Sequence, residues 1–458
     1  MTKFYNTGEL QTMKKASKIE EMISVFEPFP LMEKTAFEEF YVNTYEARGN
    51  DAVKRMAYGL KYSLNNNMKI LFMGHRGSGK STELFLLKNE ICDKFEIISF
   101  FIEDEVDADS MTYIDFIFAI MSQIVKFVDN RKDMSFLNED IDALYRYWQE
   151  EKIIEDTEYG TDEIKTEFSA KLSFLKRIVL EGGGILKTGS ESKIIIRNKI
   201  EPKVGYLIQL INQLIVKIND KLDGRQLIII IEDLDKLSME VANELFIKYR
   251  KVILSINARM ILTFPIFMAY DSQYNMIKED VDMCQMLSII KVKKQDKEPF
   301  KEGIKKLKEI VYKRANEDLI IKDALEFAVI KSGGAIRDLF QLLRDAAYEA
   351  LVDSRKVVEV VDVKKAYIKM KSEYERLIRT ENDVDKLKLI YHDPRPLTTD
   401  ETVMSLLLRG LIIEYNGERW CGIHPVVEDF LREKGEISDK EKDEILDKKK
   451  GDILDEEK

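Results

Sequence analysis

Cysteine is nearly missing from this chain: Cys92, Cys284 and Cys421 are far apart and form no CxxC pair. An odd, scattered set excludes a disulfide framework and a cysteine-based zinc site, and suits a reducing compartment. Histidine is equally scarce, with His75, His392 and His424 standing singly. Proline (8) and glycine (21) are few for 458 residues, so long disordered linkers within the body are not expected. No apolar run approaches the roughly 18 residues of a membrane span. The opening MTKFYNTGEL lacks a basic segment followed by an apolar stretch. The expectation is a cytoplasmic chain without membrane association. Positive charge is also in deficit, with 72 Lys and Arg against 83 Asp and Glu, a net charge of −11. That balance repels polyphosphate backbones at long range and disfavours sequence-independent nucleic-acid binding.

What is present is a charged (34%) and hydrophobic (45%) composition suited to a helix-rich globular protein. Residues 1–67 read as a helical lead-in, interrupted by an extended connector, FEPFPLMEK, at 26–34. Short apolar runs at 70–73, 95–104, 225–231, 259–268 and 287–292 (LSIIKV) are five strand candidates separated by helical patterns. They predict an α/β core over 68–297 with a three-layer parallel sheet. A helical insertion fills about 105–222, including Trp148 and the tract EGGGILKTGSESK at 181–193. An all-α segment follows over 298–382, its last helix at roughly 361–382. Residues 383–433 combine helices with a hairpin signal, LIIEYNGERWCGI, and read as a winged-helix-like domain. The tail, 434–458, is highly charged without periodic core residues, as in a solvated helix or a disordered segment.

The run Gly74-His75-Arg76-Gly77-Ser78-Gly79-Lys80-Ser81 fits G-x-x-x-x-G-K-[ST] without a gap, after a strand and before a helix. Glycines let the backbone turn its N–H groups onto phosphate oxygens, and the helix N-terminus adds partial positive charge. In that pattern Lys80 reaches the β- and γ-phosphates, Ser81 ligates Mg²⁺, and Thr82 sits near the α-phosphate. Bound ATP with Mg²⁺ is therefore expected. Glu232-Asp233-Leu234-Asp235 ends the third strand, where phosphate-loop NTPases place an acid for the magnesium shell. Two registers are open. In the preferred one Glu232 serves magnesium and Asp233 the attacking water; in the other Asp233 serves magnesium and Asp235 helps with water.

Phosphate loop, acidic strand end, helical segment and winged helix, in that order, resemble the AAA+ and STAND ATPases, most nearly the initiator-like branch that includes origin-recognition ATPases. IIIIEDLDK also looks like the acidic motif of KAP-type NTPases. The resemblance implies an α/β phosphate-loop core with a helical lid at 298–382. In Ser332-Gly333-Gly334-Ala335-Ile336-Arg337-Asp338 it makes Arg337 a lid arginine touching the γ-phosphate, and it makes Thr263 a polar γ-phosphate sensor. Arg250 or Arg259 would be an arginine finger in a homo-oligomer, and Phe40, Tyr41 and Arg48 would grip the adenine. The implied function is an ATP-binding and ATP-hydrolysing switch, alternating between ATP and ADP. It would control assembly or a separate effector protein, as in bacterial antiviral defence. Two alternatives are a DNA-binding initiator or loader reading duplex through the winged helix, and a nucleotide-binding scaffold that barely hydrolyses. TTDETVMSLLLRGL is not strongly basic, so protein contact is preferred to DNA.

Overall fold

The computed structural model describes residues 14–150, 201–394, 400–415 and 420–438. The tract at 181–193, the Asn-Gly turn of the hairpin and the tail beyond 438 lie outside the described residues. The chain divides into two units interleaved along the sequence. One comprises Met1–Ala52, Gly74–Phe85 and Leu287–Lys458; the other comprises Val53–Met73 and Leu86–Met286.

The second unit is an α/β sheet of five strands: β1 (Lys69–Met73), β2 (Phe95–Phe101), β3 (Gln226–Glu232), β4 (Arg259–Phe264) and β5 (Met283–Met286). Their order is β2-β3-β4-β1-β5 and every pairing is parallel. β1 and β4 are buried along their whole length, as is β3 from Leu227 to Glu232. That explains their unbroken apolar runs, since a parallel sheet is covered on both faces. Helices Tyr113–Asp129 and Val204–Lys221 belong to this unit. The latter buries Leu207, Leu210, Ile211, Leu214 and Ile218, a stripe at helical spacing. The former starts on a reciprocal capping box between Thr112 and Asp115.

The fifth strand is not LSIIKV. It is the preceding MCQM, paired along β1 from Ile70–Met283 to Met73–Met286. The apolar side chains of 287–292 serve the other unit instead. Ile290 and Val292 enter its main core, and Ile289 packs with Ala335, Ile413, Tyr415 and Trp420.

In the first unit, helices Lys301–Arg314, Lys322–Lys331, Ile336–Val352 and Val360–Glu375 share one core with the lead-in helix Ile19–Val25. Arg314 is buried there, its guanidinium over the rings of Phe340 and Phe40, donating to the Val25 carbonyl at 2.9 Å. The helix expected over 361–382 stops at Glu375. A new one, Glu381–His392, begins on the Thr380 cap, whose side chain accepts from the Asp383 N–H. Helix Glu401–Leu408, strands β6 (Ile412–Tyr415) and β7 (Trp420–Ile423), and helix Pro425–Glu433 complete a winged-helix arrangement. β6 and β7 pair antiparallel as the hairpin signal requires. No described helix is long and apolar enough to cross a membrane.

Candidate functional site

β1 ends at Met73 and the chain runs directly into the glycine loop, then into helix Lys80–Ile91. Gly77 and Gly79 adopt φ of 78° and 99°, a region side chains rarely occupy. Space forbids a side chain as well. A Cβ on Gly74 would lie 2.6 Å from the Leu287 carbonyl oxygen, and one on Gly77 would lie 2.7 Å from Arg337 Cβ. The loop is thus glycine-built by conformation at two positions and by close approach at two.

Lys80 Nζ folds back over this loop and donates to the carbonyls of Gly74 (2.8 Å) and His75 (2.9 Å). The ammonium is buried against these carbonyls. The Ser78 hydroxyl is buried with no hydrogen-bond partner among the described residues, a polar atom that a bound phosphate could satisfy. Ser81 is half-buried on the first turn of the helix. The Thr82 hydroxyl accepts the Leu31 N–H at 3.1 Å, so it anchors the lead-in connector.

The lead-in residues are placed differently from an adenine grip. Phe40 is core, beneath Arg314. The Tyr41 hydroxyl donates to Glu83 at 3.3 Å, and burial with the Glu83 charge pushes its pKa up. Arg48 is held by one hydroxyl and two backbone carbonyls. It donates to the Thr44 hydroxyl (2.7 Å), the Ser78 carbonyl (2.7 Å) and the Ser288 carbonyl.

Arg337 lies in the first turn of helix Ile336–Val352, with its N–H 3.5 Å from the Gly77 carbonyl and its side chain exposed. Gly333 and Gly334, at φ of 62° and 91°, allow the approach. A Cβ on Gly334 would lie 1.8 Å from the Ile290 carbonyl oxygen. Next to Arg337, Asp338 accepts the Tyr374 hydroxyl at 2.7 Å and lies 3.2 Å from His424 Nε2. The Tyr374 and His424 rings stack at 4.5 Å. His424 also accepts the Val426 N–H at Nδ1, capping the last helix of the winged-helix arrangement.

His75 makes the least expected contact. Its Nε2 accepts the backbone N–H of Glu414, in β6, at 2.7 Å. Nδ1 therefore carries the ring proton. Burial, reinforced by the charge of Lys80, lowers its pKa to about 3. Nothing local in the sequence marks this link, because its partner is a main-chain group 339 residues away.

In the other unit Glu232 and Asp233 each have a lysine. Glu232 is buried at the end of β3, where Lys88 Nζ lies 3.4 Å from its carboxylate and also donates to Ser99. Asp233 sits at φ 69°, a left-handed conformation that places it among the residues worth testing for function. Lys236 pairs with it at 2.7 Å and with Glu103 at 3.5 Å. Burial nevertheless leaves the Asp233 pKa raised, against the pull of Lys236. The Thr263 hydroxyl accepts the Leu234 N–H (3.0 Å) and lies 3.3 Å from the Ile231 carbonyl as donor, so it holds the backbone around these acids. Arg250 is paired with Asp280, and Arg259 is buried on Gln226, the Ser63 carbonyl and the Phe95 ring.

Oxygen donors are present in each unit, the Ser81 hydroxyl in the first and the carboxylates at 232, 233 and 235 in the second. Such donors suit magnesium, which is normally held by one or two carboxylates and substrate phosphates.

No family model matches the sequence, and no curated protein matches it. Among solved structures the chain is similar to a Walker-type ATPase of Pyrococcus abyssi, at 16% identity and TM-score 0.43, covering 89% of this chain and 99% of that one. It is also similar to the ORC2 protein of Aeropyrum pernix in ADPNP–ADP complexes, at 11% identity and TM-score 0.39, covering 90% and 98%. A third likeness is to the RuvB Holliday junction branch migration motor of Thermotoga maritima, at 11% identity and TM-score 0.34, covering 89% and 99%.

Proposed function

We propose that the chain binds and hydrolyses ATP with magnesium at Gly74–Thr82 and acts as a nucleotide-dependent switch. The observation that carries this proposal is the glycine loop itself: left-handed Gly77 and Gly79, with Lys80 Nζ folded over the Gly74 and His75 carbonyls. Lys80 would leave those carbonyls for the β- and γ-phosphates. Ser81 would hold magnesium, which supplies charge neutralisation on the phosphates when bound. Arg337 would stabilise charge on the γ-phosphate.

A switch needs an element that feels the phosphates and differs between nucleotide states. Two contacts support this role: Arg337 on Gly77, and Glu414 on His75. Through them the helical lid and the hairpin both rest on the loop that would hold the nucleotide. The output we propose is self-assembly or control of a separate effector protein. Helix Glu401–Leu408 gives little support to duplex reading. Arg409, which follows it, is held by both carboxylate oxygens of Asp383 and by the Leu377 carbonyl.

Magnesium-dependent phosphate release should be measured for wild type, K80A and R337A, together with particle mass in ADP and in a slowly hydrolysed ATP analogue. Turnover lost in K80A, reduced in R337A, and a mass or shape that differs between nucleotides are expected. Equal turnover in K80A and wild type would remove the loop from catalysis.

A further inference from the structure

Arg48 stands out among the buried cations of the first unit. Its side chain is 3% exposed, and its hydrogen bonds go to a hydroxyl and two backbone carbonyls. The compensating negative charge comes through space from Glu83, on the helix that follows the loop. Burying a guanidinium this way is costly, and mutation elsewhere to an apolar residue is often tolerated. A charge kept here has a local reason.

That reason lies in the peptide it grips. A trans peptide points its C=O and N–H in opposite directions. Arg48 Nη2 draws the Ser78 carbonyl towards itself at 2.7 Å, so the N–H of Gly79 is turned the other way. Gly79 is the residue whose left-handed φ leads into Lys80, and a Cβ on it would lie 3.7 Å from Arg48 Nη2. The second grip, on the Ser288 carbonyl, ties the same guanidinium to the segment whose Leu287 carbonyl packs against Gly74. Arg48 itself is placed by a single helical turn, Tyr45–Arg48, ended by Gly49 at φ 85°.

We infer that Arg48 is the positioning residue of the phosphate loop: it fixes the Ser78–Gly79 peptide so that the Gly79 N–H is presented to a nucleotide phosphate. This rests on the assignment of the loop to nucleotide phosphates. It also removes Arg48 from adenine recognition, since its Nε, Nη1 and Nη2 are committed to the Thr44 hydroxyl and two backbone carbonyls.

The test compares the full chain with R48M, R48K and T44V. The last removes only the hydroxyl that orients Arg48 Nε and keeps the charge. Binding of Mg·ATP and ADP is measured by calorimetry, adenosine by competition, and folding by circular dichroism and thermal melting. R48M should weaken ATP and ADP by about 30-fold and T44V by about 3-fold, with adenosine unchanged. R48K should fall between wild type and R48M, because an ammonium cannot bridge all three acceptors. If R48M does not fold, T44V carries the test. A folded R48M, or a T44V, that binds ATP as wild type does overturns the inference alone. An equal loss for adenosine and ATP makes Arg48 a base contact and also overturns it. A wild-type chain that binds no nucleotide overturns both this inference and the function it rests on.

Discussion

His75 Nε2, inside the glycine loop, accepts the Glu414 N–H, in the hairpin, at 2.7 Å. The bond requires a neutral imidazole, and burial holds the pKa at about 3, below the usual value of about 6.5. The unfolded chain therefore takes up a proton between those values and the folded chain does not. The His75 contribution is complete above about pH 6.5 and is lost as pH falls towards 3, at up to about 1.4 kcal/mol per pH unit. Urea unfolding of wild type and H75L between pH 7 and pH 5 isolates this slope. Parallel pH profiles would show that His75 titrates normally.

Gly77→Ala meets two obstacles, φ of 78° and a Cβ 2.7 Å from Arg337 Cβ. It should cost about 1–3 kcal/mol of stability and abolish nucleotide binding. A variant with unchanged melting and unchanged binding would show that the loop tolerates a side chain where the lid helix starts.

Tyr415 stacks on Trp420 at 4.3 Å, and its hydroxyl donates to the Gly333 carbonyl at 3.2 Å. Y415F keeps the stack and leaves that buried carbonyl without its donor. It should lower stability by about 1–2 kcal/mol, while W420A should cost about 3–5 kcal/mol. A larger loss in Y415F than in W420A in chemical denaturation would mean that the hydroxyl, not the ring packing, dominates.

Much of this was legible in the sequence because it is local. The gap-free G-x-x-x-x-G-K-S run fixes its own backbone, and Ile228–Ile231 could only be a strand covered on both faces. The fifth strand was misplaced for a physical reason. Apolar runs report burial rather than ladder pairing, and Ile289 and Ile290 are buried against helices and hairpin while the half-exposed MCQM makes the ladder. Arg48 and His75 illustrate the other limit. Their long-range partners are main-chain groups 30 to 339 residues away, and main-chain partners leave no mark on residue type.

The acids are separable by charge-only substitutions. D233N keeps a residue that tolerates the left-handed φ of 69°, and so changes charge alone. If Asp233 positions water, D233N should retain ATP affinity and lose about 10²-fold or more in turnover. E232Q should instead shift the magnesium dependence of both binding and turnover. A shifted magnesium dependence in D233N and a turnover loss in D235N, with E232Q silent, would select the other register.

Every proposed role depends on nucleotide binding at the glycine loop. Calorimetric titration of Mg·ATP into wild type and K80A tests it most directly. Saturable one-site binding by wild type, weakened about 30–100-fold in a K80A chain of unchanged fold, is the expected result. No binding by wild type, or equal affinity in K80A, would contradict it.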